Sequence, residues 1–404
     1  MRDLKVNIKI GFGLILSLVG FPQISETIYT PALPAVAKGL NATVHSVEAT
    51  LAIYFFGFAA GVFLWGTFSD YAGRRKTMLI GLIIFVISCL ACTTSQTVQA
   101  LLFWRFIQAL GASVGSVITQ TMLRDIYDGK QRSQIFSILS GALAFSPAIG
   151  PLMGGYISEF WGWRANFWFL VLLGITLLIL SFIKLPETKP AHIRHPSFGQ
   201  MVKLARRMLI SSFLWGHVLL IAATNGILFS FYGEAPFVFI EQLGMRPSLY
   251  GLLGIVIASA TIVAAKISYN LSGKVDSVTL IQGGSFLTVL GGLGFTLTQA
   301  LGLFELNFLG MTLVLTSLFV AFIGVGLIIP NSLSMALRDF QDMVGTAGSI
   351  FGAAYYGLIA IATWTMSLLH NGTAWPLPLY ITFLGAVLVL GSQMIRRVQL
   401  CTAV

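Results

Sequence analysis

The chain has 404 residues, of which 56% are hydrophobic and 9% are charged, and its formal net charge is +10 at pH 7. Its mean hydropathy is +0.87. A soluble protein of this length has too little interior to hide so much apolar surface, so the composition excludes a soluble globular protein and predicts a membrane protein.

Twelve apolar segments, called spans 1 to 12, are each long enough to cross a membrane as a helix. A hydrocarbon core about 30 Å thick needs about 20 helical residues. The predicted spans are residues 10–37, 46–68, 77–95, 99–122, 134–158, 164–185, 209–240, 248–270, 277–298, 304–333, 343–369 and 375–395. Strands of a membrane barrel would be shorter and would alternate polar with apolar residues. The predicted fold class is therefore an all-α membrane protein with twelve transmembrane helices.

The lysines and arginines lie mostly at the termini, in the hydrophilic segment between spans 6 and 7, and in the loops after the even-numbered spans. Because basic residues concentrate in cytoplasmic loops, both termini are predicted to be cytoplasmic. The same segregation accounts for the net charge without a nucleic-acid partner. The hydrophilic segment also divides the chain into a six-helix half at 1–185, a cytoplasmic basic linker at 186–208 and a second six-helix half at 209–404.

Span 1 contains Glu26 in the sequence SETIYTPALP, among residues apolar enough for lipid. A carboxylate at this depth is costly, so such residues face a bundle interior and mark a transport path or a proton relay. Helical spacing puts Gln23 and Thr30 on the same face. A substrate that changes the burial of a carboxylate, or its distance from a cation, can change whether it holds a proton. Glu26 is therefore a candidate for proton coupling.

The loop after span 2, GTFSDYAGRRKTML, brings together Gly66, Asp70, Gly73, Arg74 and Arg75. Gly66 would allow another helix to approach, and Asp70 can face the positive end of a helix. Arg74 lies four residues after Asp70, within pairing reach. A turn that only follows the distribution of positive charge would explain the arginines but not the glycines or Asp70. We therefore predict a gate at this loop.

Span 4, in LLFWRFIQALGASVGS, carries Arg105, Gln108, Ala112 and Ser116 on one helical face. The guanidinium of Arg105 is permanently charged, so inside a membrane it must be paired or hydrogen-bonded within the protein. Arg105 is the cation expected to act with Glu26.

Span 5 reads GALAFSPAIGPLMGGYIS. Pro147 and Pro151 each remove a hydrogen-bond donor and bend the span, while Gly150, Gly154 and Gly155 permit close helix packing. An ordinary kinked packing helix would contain the same residues.

Span 7 contains a second carboxylate, Glu234, in LFSFYGEAPFVF. It is predicted either as a cation-binding or second proton site, or as a pore-rim or salt-bridged residue near the outer surface. Four aromatic residues, Tyr29, Tyr54, Phe229 and Tyr232, would give a cavity that suits many compounds.

Several chemistries lack support in the sequence. Cys89 and Cys92 form a C-L-A-C segment in span 3, but no further metal ligands are near, so they are interpreted as packing residues. There is no phosphate-binding loop and no catalytic cluster. We therefore expect no enzyme activity, no cofactor and no metal, and transport driven by ion gradients.

Four of these segments are similar to motifs of the major facilitator superfamily. The loop after span 2 matches G-x-x-x-D-x-x-G-R-[RK], and span 4 resembles R-x-x-Q-G-x-G with Ala109 in place of the first glycine. The G-P-x-x-G-G of span 5, Gly150 to Gly155, resembles the signature of the antiporters. Span 1 has ETIYTPALP where members have a T-D-M-Y-L-P-A-L-P-like element, so Glu26 stands where aspartate is usual. Further similar segments are RDIY, GWRANFWF, APFVFIE, GVGLIIPNSLSMAL and GTAGSIFG.

Over nearly its whole length the chain resembles twelve-span drug:proton antiporters of the bicyclomycin/chloramphenicol-resistance (Bcr/CflA) type. The resemblance implies two pseudosymmetric halves around a midplane cavity. It also implies a monomeric, proton-coupled antiporter of the bacterial inner membrane that exports small amphipathic or cationic compounds. A dedicated exporter of an endogenous metabolite or siderophore is the alternative, and a proton symporter for uptake is a further one.

The residues expected to carry this function fall into three sets. The proton-coupling set is Glu26, Arg105 and Glu234. The substrate-cavity set is Gln23, Tyr29, Tyr54, Gln108, Asn225, Phe229 and Tyr232. The gating set is Gly66, Asp70, Gly73, Arg74, Arg75, Gly150, Pro151, Gly154 and Gly155.

Overall fold

The structure is a computed structural model that describes residues 11–127, 131, 134–136, 138–139, 146–190, 198–304 and 307–402. The first half contains the helices Phe12–Thr27, Leu33–Gly39, Val44–Ala72, Arg74–Thr94, Val98–Ile126, Ser146–Trp161 and Arg164–Lys184. The linker and second half contain Phe198–Leu209, Ser212–Pro236, Pro247–Gly251, Leu253–Leu271, Ser277–Ala300, Phe308–Met335, Val344–Leu369 and Pro376–Thr402. Short 3-10 segments lie at Thr30–Ala32 and Arg338–Met343, and a π-helical segment lies at Phe237–Gln242.

The predicted all-α membrane fold is confirmed. Among the described residues, eleven helical segments are long and apolar enough to cross a membrane, and they correspond to every predicted span except span 5. Residues 137 and 140–145 of span 5 lie outside the described residues, and its described end is the helix Ser146–Trp161. Span 12 was expected to end at 395 but is helical to Thr402. Hydropathy marks where a chain leaves lipid, whereas a helix can continue into water.

Five spans begin where a polar side chain caps the first helical turn. In each case the side-chain oxygen accepts a hydrogen bond from a backbone N–H two or three residues later, which has no partner within the helix. The capping residues are Thr43, Thr97, Ser211, Asp276 and Asn307. These caps fix the starts of spans 2, 4, 7, 9 and 10.

Span 1 is interrupted next to its carboxylate. The first helix ends at Thr27, one residue after Glu26, and α-helix resumes at Leu33. Pro31 has no N–H to donate to the carbonyl of Thr27, which instead accepts a hydrogen bond from Thr30 Oγ1 at 2.9 Å. The expectation that Thr30 shares a continuous helical face with Glu26 is therefore wrong, and Thr30 is fully buried.

The buried apolar side chains form one large cluster in each half. One cluster consists of residues of spans 1 to 6 and the other of residues of spans 7 to 12. The exceptions are Phe237, which packs into the first cluster, and Phe55, which packs into the second. Large apolar side chains such as Phe103, Leu172 and Phe182 are exposed, as expected for surfaces that face lipid. The two halves thus have separate cores that interlock through a few aromatic residues.

The linker contacts both halves. The helix Phe198–Leu209 packs against the second half through Leu204 and Met208, which belong to a third apolar cluster with residues of spans 7, 10 and 11. The guanidinium of Arg207 lies 5.5 Å from the ring centroid of Phe340. Residues 191–197 of the predicted linker lie outside the described residues.

Spans 5 and 8 join the two halves at one end of the bundle. We call the end that carries the 2–3 loop the basic side and the other end the opposite side. A Cβ atom on Gly155 would overlap the carbonyl oxygen of Pro247, and one on Gly251 would lie 2.6 Å from the carbonyl oxygen of Pro151. The backbones therefore touch directly on the opposite side, which only glycine permits.

Gly154→Leu should lower the thermal unfolding temperature of the detergent-purified protein and impair transport. A Cβ atom at Gly154 would overlap the carbonyl oxygen of Ile28 in span 1, and overpacking of this kind costs about 1–3 kcal/mol or more. Gly283→Leu is the matched control, because no heavy atom lies within 4 Å of its Cβ position. Leu152→Ala should also cost less than Gly154→Leu. Equal shifts for the two glycine variants would contradict the packing argument.

Candidate functional site

A cavity of about 950 Å³ lies between the two halves and reaches the basic side. Spans 2 and 4 form one wall, and span 11 forms the facing wall. Residues along the walls include Gly66, Asp70, Arg74, Ser116, Gln120, Arg124, Asp125, Gln200, Ser349, Gly352, Tyr355 and Tyr356. Charged groups surround the mouth and tyrosines form the deep end.

The opposite side is closed by contacts between the halves. The rings of Phe55 and Phe229 lie 4.3 Å apart between centroids. The backbone N–H of Ser248 donates to Glu159 Oε2 at 3.0 Å. Together with the contact of spans 5 and 8, these interactions define a conformation in which the cavity between the described parts of the two halves opens on the basic side.

Glu26 lies at the centre of the bundle, near the deep end of the cavity. Tyr54, Tyr232 and Tyr356, which come from both halves, lie around its carboxylate. Its side chain keeps part of its surface accessible. Among the described residues no lysine, arginine or histidine lies within 4 Å of it as an ion-pair partner. The carboxylate is therefore available to a proton or to a cationic ligand.

Arg105 is completely buried and is held by neutral groups. Its Nη1 donates to Gln108 Oε1 at 2.5 Å and to the carbonyl of Ser25 at 3.3 Å. The rings of Tyr29 and Tyr54 lie on either side, with centroids 4.3 and 4.2 Å from the guanidinium carbon. Cation–π contacts of this kind contribute about 2 kcal/mol or more when desolvated. The interactions keep a positive charge beside Ser25, the residue before Glu26, without forming an ion pair with the carboxylate.

Arg74 organises the mouth of the cavity on the first-half side. Its Nη1 donates to Asp70 Oδ1 at 2.5 Å and to Ser69 Oγ at 2.9 Å, and its Nε donates to Asp125 Oδ2 at 3.0 Å. The side chain of Arg74 is 5% exposed, compared with 33% for Asp70 and 14% for Asp125. Gly73 has φ +93°, a conformation that favours glycine. The predicted pairing of Arg74 with Asp70 is present, and Asp125 is a partner that the sequence did not indicate.

The start of the linker is fastened to this same loop. The carboxylate of Glu187 accepts hydrogen bonds from the backbone N–H groups of Arg74 at 2.8 Å and Arg75 at 3.2 Å. These are the first residues of span 3, so the carboxylate also meets the positive end of a helix. Lys189 Nζ donates to the carbonyl of Tyr71 at 3.0 Å. Sequence reasoning did not identify Glu187, which has no local signal.

The predicted substrate-cavity residues lie deeper than the open cavity. Tyr29, Tyr54 and Gln108 contact Arg105, whereas Gln23 and Asn225 keep partial exposure. Phe229 and Tyr232 are buried beside each other. None of the seven lines the 950 Å³ cavity in this conformation, so the set stays a prediction.

The predicted gating residues divide between the two sides. Gly66 lines the open cavity, where the nearest atom to its Cβ position is Ser349 Cβ at 4.0 Å. A Cβ atom on Gly150 would overlap Thr27 Oγ1 of span 1. Gly150 thus faces span 1, and Gly155 and Pro151 contact span 8 on the opposite side.

Glu234 is fully buried and lies on the opposite side, away from Glu26 and Arg105. Both of its carboxylate oxygens are within hydrogen-bond distance of His370 Nδ1, at 2.9 and 3.0 Å. Glu48 of span 2 lies beside it, with its carboxylate 2% exposed overall. The structure therefore does not join Glu234 to the Glu26 site, and it reveals two neighbours, Glu48 and His370, that the sequence analysis missed.

Known proteins are similar to this chain over almost its whole length. Residues 15–363 match the family model described as Major Facilitator Superfamily. A transporter of Rickettsia bellii, named only as uncharacterized, is 36% identical over 376 residues, or 92% of each chain. The chloramphenicol resistance protein of Pseudomonas aeruginosa is 30% identical over 376 residues, which cover 92% of this chain and 87% of that protein.

The fold also has close counterparts among solved structures. The crystal structure of a D-xylose-proton symporter superposes with a TM-score of 0.73 and covers 95% of this chain and 96% of its own. The sequence identity is 16%, so this likeness concerns the fold alone.

Arg74→Ala should destabilise the protein more than Asp70→Asn. Removal of Arg74 leaves Asp125 without its buried partner, a loss that costs up to about 3–5 kcal/mol. Asp70 is one-third exposed, so water replaces part of what it loses. Both variants should insert normally but transport poorly, as measured by thermal unfolding in detergent and by flux in proteoliposomes. Lys274→Ala, an exposed change on the same side, is the control. Unchanged flux in both variants would contradict a gating role.

Proposed function

The chain belongs to the major facilitator superfamily and, within it, is of the bicyclomycin/chloramphenicol-resistance type, and from this premise we propose that it is a proton-coupled antiporter for multidrug efflux. It exports small amphipathic or cationic compounds across a bacterial inner membrane, with protons moving inward. Its basic side faces the cytoplasm, because lysine and arginine concentrate there. In that orientation the open cavity receives substrate from the cytoplasm.

The observation that carries the proposal is the state of Glu26. It is a carboxylate deep between the two halves, partly accessible, and without an ion-pair partner among the described residues. A group in that position is sensitive to any ligand that changes its surroundings. A cationic substrate that reaches the deep end of the cavity would favour loss of the proton, and its departure would favour return of the proton.

Arg105 supports the coupling without binding a proton itself. A guanidinium stays charged under all physiological conditions. Held between Tyr29 and Tyr54, it fixes a positive charge near Glu26, so the carboxylate does not need a mobile counter-ion when it ionises. Alternating access then follows from movement of one half against the other around this fixed site.

The shape and chemistry of the cavity support a broad range of small substrates. Tyrosines at the deep end offer flat apolar surfaces, and the described residues at the mouth carry acidic and basic groups in equal number, Asp70 and Asp125 with Arg74 and Arg124. A similar protein is named for chloramphenicol resistance, which makes chloramphenicol a sensible first probe. Ethidium is a suitable cationic probe for comparison.

Glu26→Gln should abolish proton-driven efflux at every pH while leaving the fold intact. The amide resembles the protonated acid in size but cannot release a proton. Glu26→Asp should retain part of the activity, because aspartate keeps an ionisable carboxylate on a shorter side chain. The measurements are substrate flux against its gradient and internal pH in proteoliposomes, with thermal unfolding as the folding check. Glu241→Gln, an exposed carboxylate on the opposite side, should behave as wild type.

Other results would redirect the proposal. If Glu26→Gln protein still exports substrate with normal proton coupling, the coupling group lies elsewhere. Protons moving in the same direction as substrate would indicate a symporter. If the vesicles pass the control for proton leakage but none of a diverse set of drugs is transported, a dedicated exporter of a metabolite or siderophore would be favoured.

A further inference from the structure

We propose that Glu48, Glu234 and His370 form a binding site for a zinc-class divalent cation that joins the two halves on the opposite side. Glu48 belongs to span 2 of the first half, whereas Glu234 and His370 belong to the second half. One ligand atom from each residue can be chosen so that all three lie within 4.8 Å of one another. This site is separate from Glu26 and the open cavity.

The charge of the cluster calls for a cation. Glu48 and Glu234 are 2% and 0% exposed, and among the described residues neither forms an ion pair with a lysine or arginine. Two adjacent buried carboxylates repel each other and lose hydration, so both cannot remain ionised without a compensating charge. With a neutral imidazole the three ligands carry −2, which one divalent ion balances.

Glu48 provides a second, independent observation. Both of its carboxylate oxygens are buried and receive no hydrogen bond from any described donor. Such oxygens are costly to bury. Span 2 passes close to Gly233, the residue before Glu234, since the Cβ position of Gly233 lies 4.0 Å from Glu48 Oε1. The carboxylate thus points across the interface towards Glu234 and His370 with its full coordinating capacity unused.

The geometry suits a transition-metal ion better than a larger cation. Ligand atoms of tetrahedral zinc lie roughly 3.4 Å apart, because each lies ~2.0–2.1 Å from the metal. His370 Nδ1 lies 2.9 and 3.0 Å from the oxygens of Glu234, and side-chain rotation of Glu48 can close the remaining gap. Imidazole with carboxylate favours zinc, cobalt or nickel over magnesium or calcium. The side chain of His370 is 14% exposed, which gives an ion and its water ligand access from the opposite side.

Occupancy would stabilise the conformation described here. The three ligands come from both halves, so they can meet only while the opposite side is closed. A ligand that binds one conformation more tightly shifts the population towards it. Because the ligands must be deprotonated, protons compete with the metal and binding weakens as the pH falls. The site would thus hold the transporter open to the basic side when metal is present.

The test of binding uses metal-stripped, detergent-purified protein without a histidine tag, titrated with Co²⁺ at pH 7.5 and followed by its visible absorption. We expect one Co²⁺ per chain, displaced by Zn²⁺, with weaker binding at pH 6. Glu48→Gln, Glu234→Gln and His370→Ala should each weaken binding by about tenfold or more. Glu241→Gln, which alters an exposed carboxylate of the same side outside the cluster, should bind normally. Thermal unfolding checks that each variant is folded.

The conformational consequence is tested by pulsed electron paramagnetic resonance on spin labels at positions 96 and 301, in loops of the opposite side, after replacement of the native cysteines. Zn²⁺ should shift the distances towards the closed arrangement, and His370→Ala should remove the shift. No Co²⁺ binding at millimolar concentration, or binding unaffected by the three cluster substitutions, would overturn the proposal. Metal binding without a change in distance would overturn its role in closure. Neither readout depends on drug transport or on Glu26.

Discussion

The absence of water from the hydrocarbon core is the constraint on which the rest of this structure depends. Backbone groups there must bond within their own helix, and charged groups must find compensation inside the protein. The bundle therefore presents side chains such as Leu172 and Phe103 outward and collects Glu26, Arg105, Glu48 and Glu234 between the helices. The interface between the halves is where such groups can be tolerated and where movement can change their surroundings.

Arg105 and Glu26 meet this constraint in different ways. Arg105 lies between two aromatic faces and donates from Nη1 to neutral acceptors, while its buried Nε and Nη2 have no hydrogen-bond partner among the described residues. Its charge is permanent because a guanidinium stays protonated. Glu26 also lies between the helices of the bundle, but it is partly accessible and has no ion-pair partner among the described residues. In the proposed mechanism the charge of Arg105 stays the same, whereas the charge of Glu26 changes when it gains or loses a proton. An exchange of proton for substrate needs one group whose charge can change. If both charges were fixed, the site would have a single charge state and could not couple the two movements.

Sequence reasoning succeeded at several places where the cause was local, although it missed the break of span 1 next to Pro31. Hydropathy located the spans, the spacing of Asp70 and Arg74 predicted their pairing, and Pro31 in retrospect explains the break of span 1. It did not find Asp125 or Glu187, because their contacts with Arg74 join residues 51 and 113 positions apart. Folding alone brings such groups together.

The opposite-side cluster shows the same limit. Glu48 was visible as a carboxylate within predicted span 2, but its significance depends on Glu234 and His370 from the other half. His370 follows the end of predicted span 11 and looked like a loop residue. The predicted substrate residues comprise four aromatic and three amide side chains, and in this conformation none of the seven lines the open cavity. A single sequence does not specify which of two alternating states is being described.

The attachment of the linker at both of its ends has a mechanical consequence. Lys189 is bonded to the first half and the helix that begins at Phe198 is packed on the second. Nine peptide steps separate them, and a fully extended chain of that length reaches roughly 30 Å. While both ends stay attached, the length of this segment sets an upper limit on the distance between its two attachment points, and so on the width of the cavity mouth. This limit allows the two halves to rotate against each other but restricts their separation on the basic side.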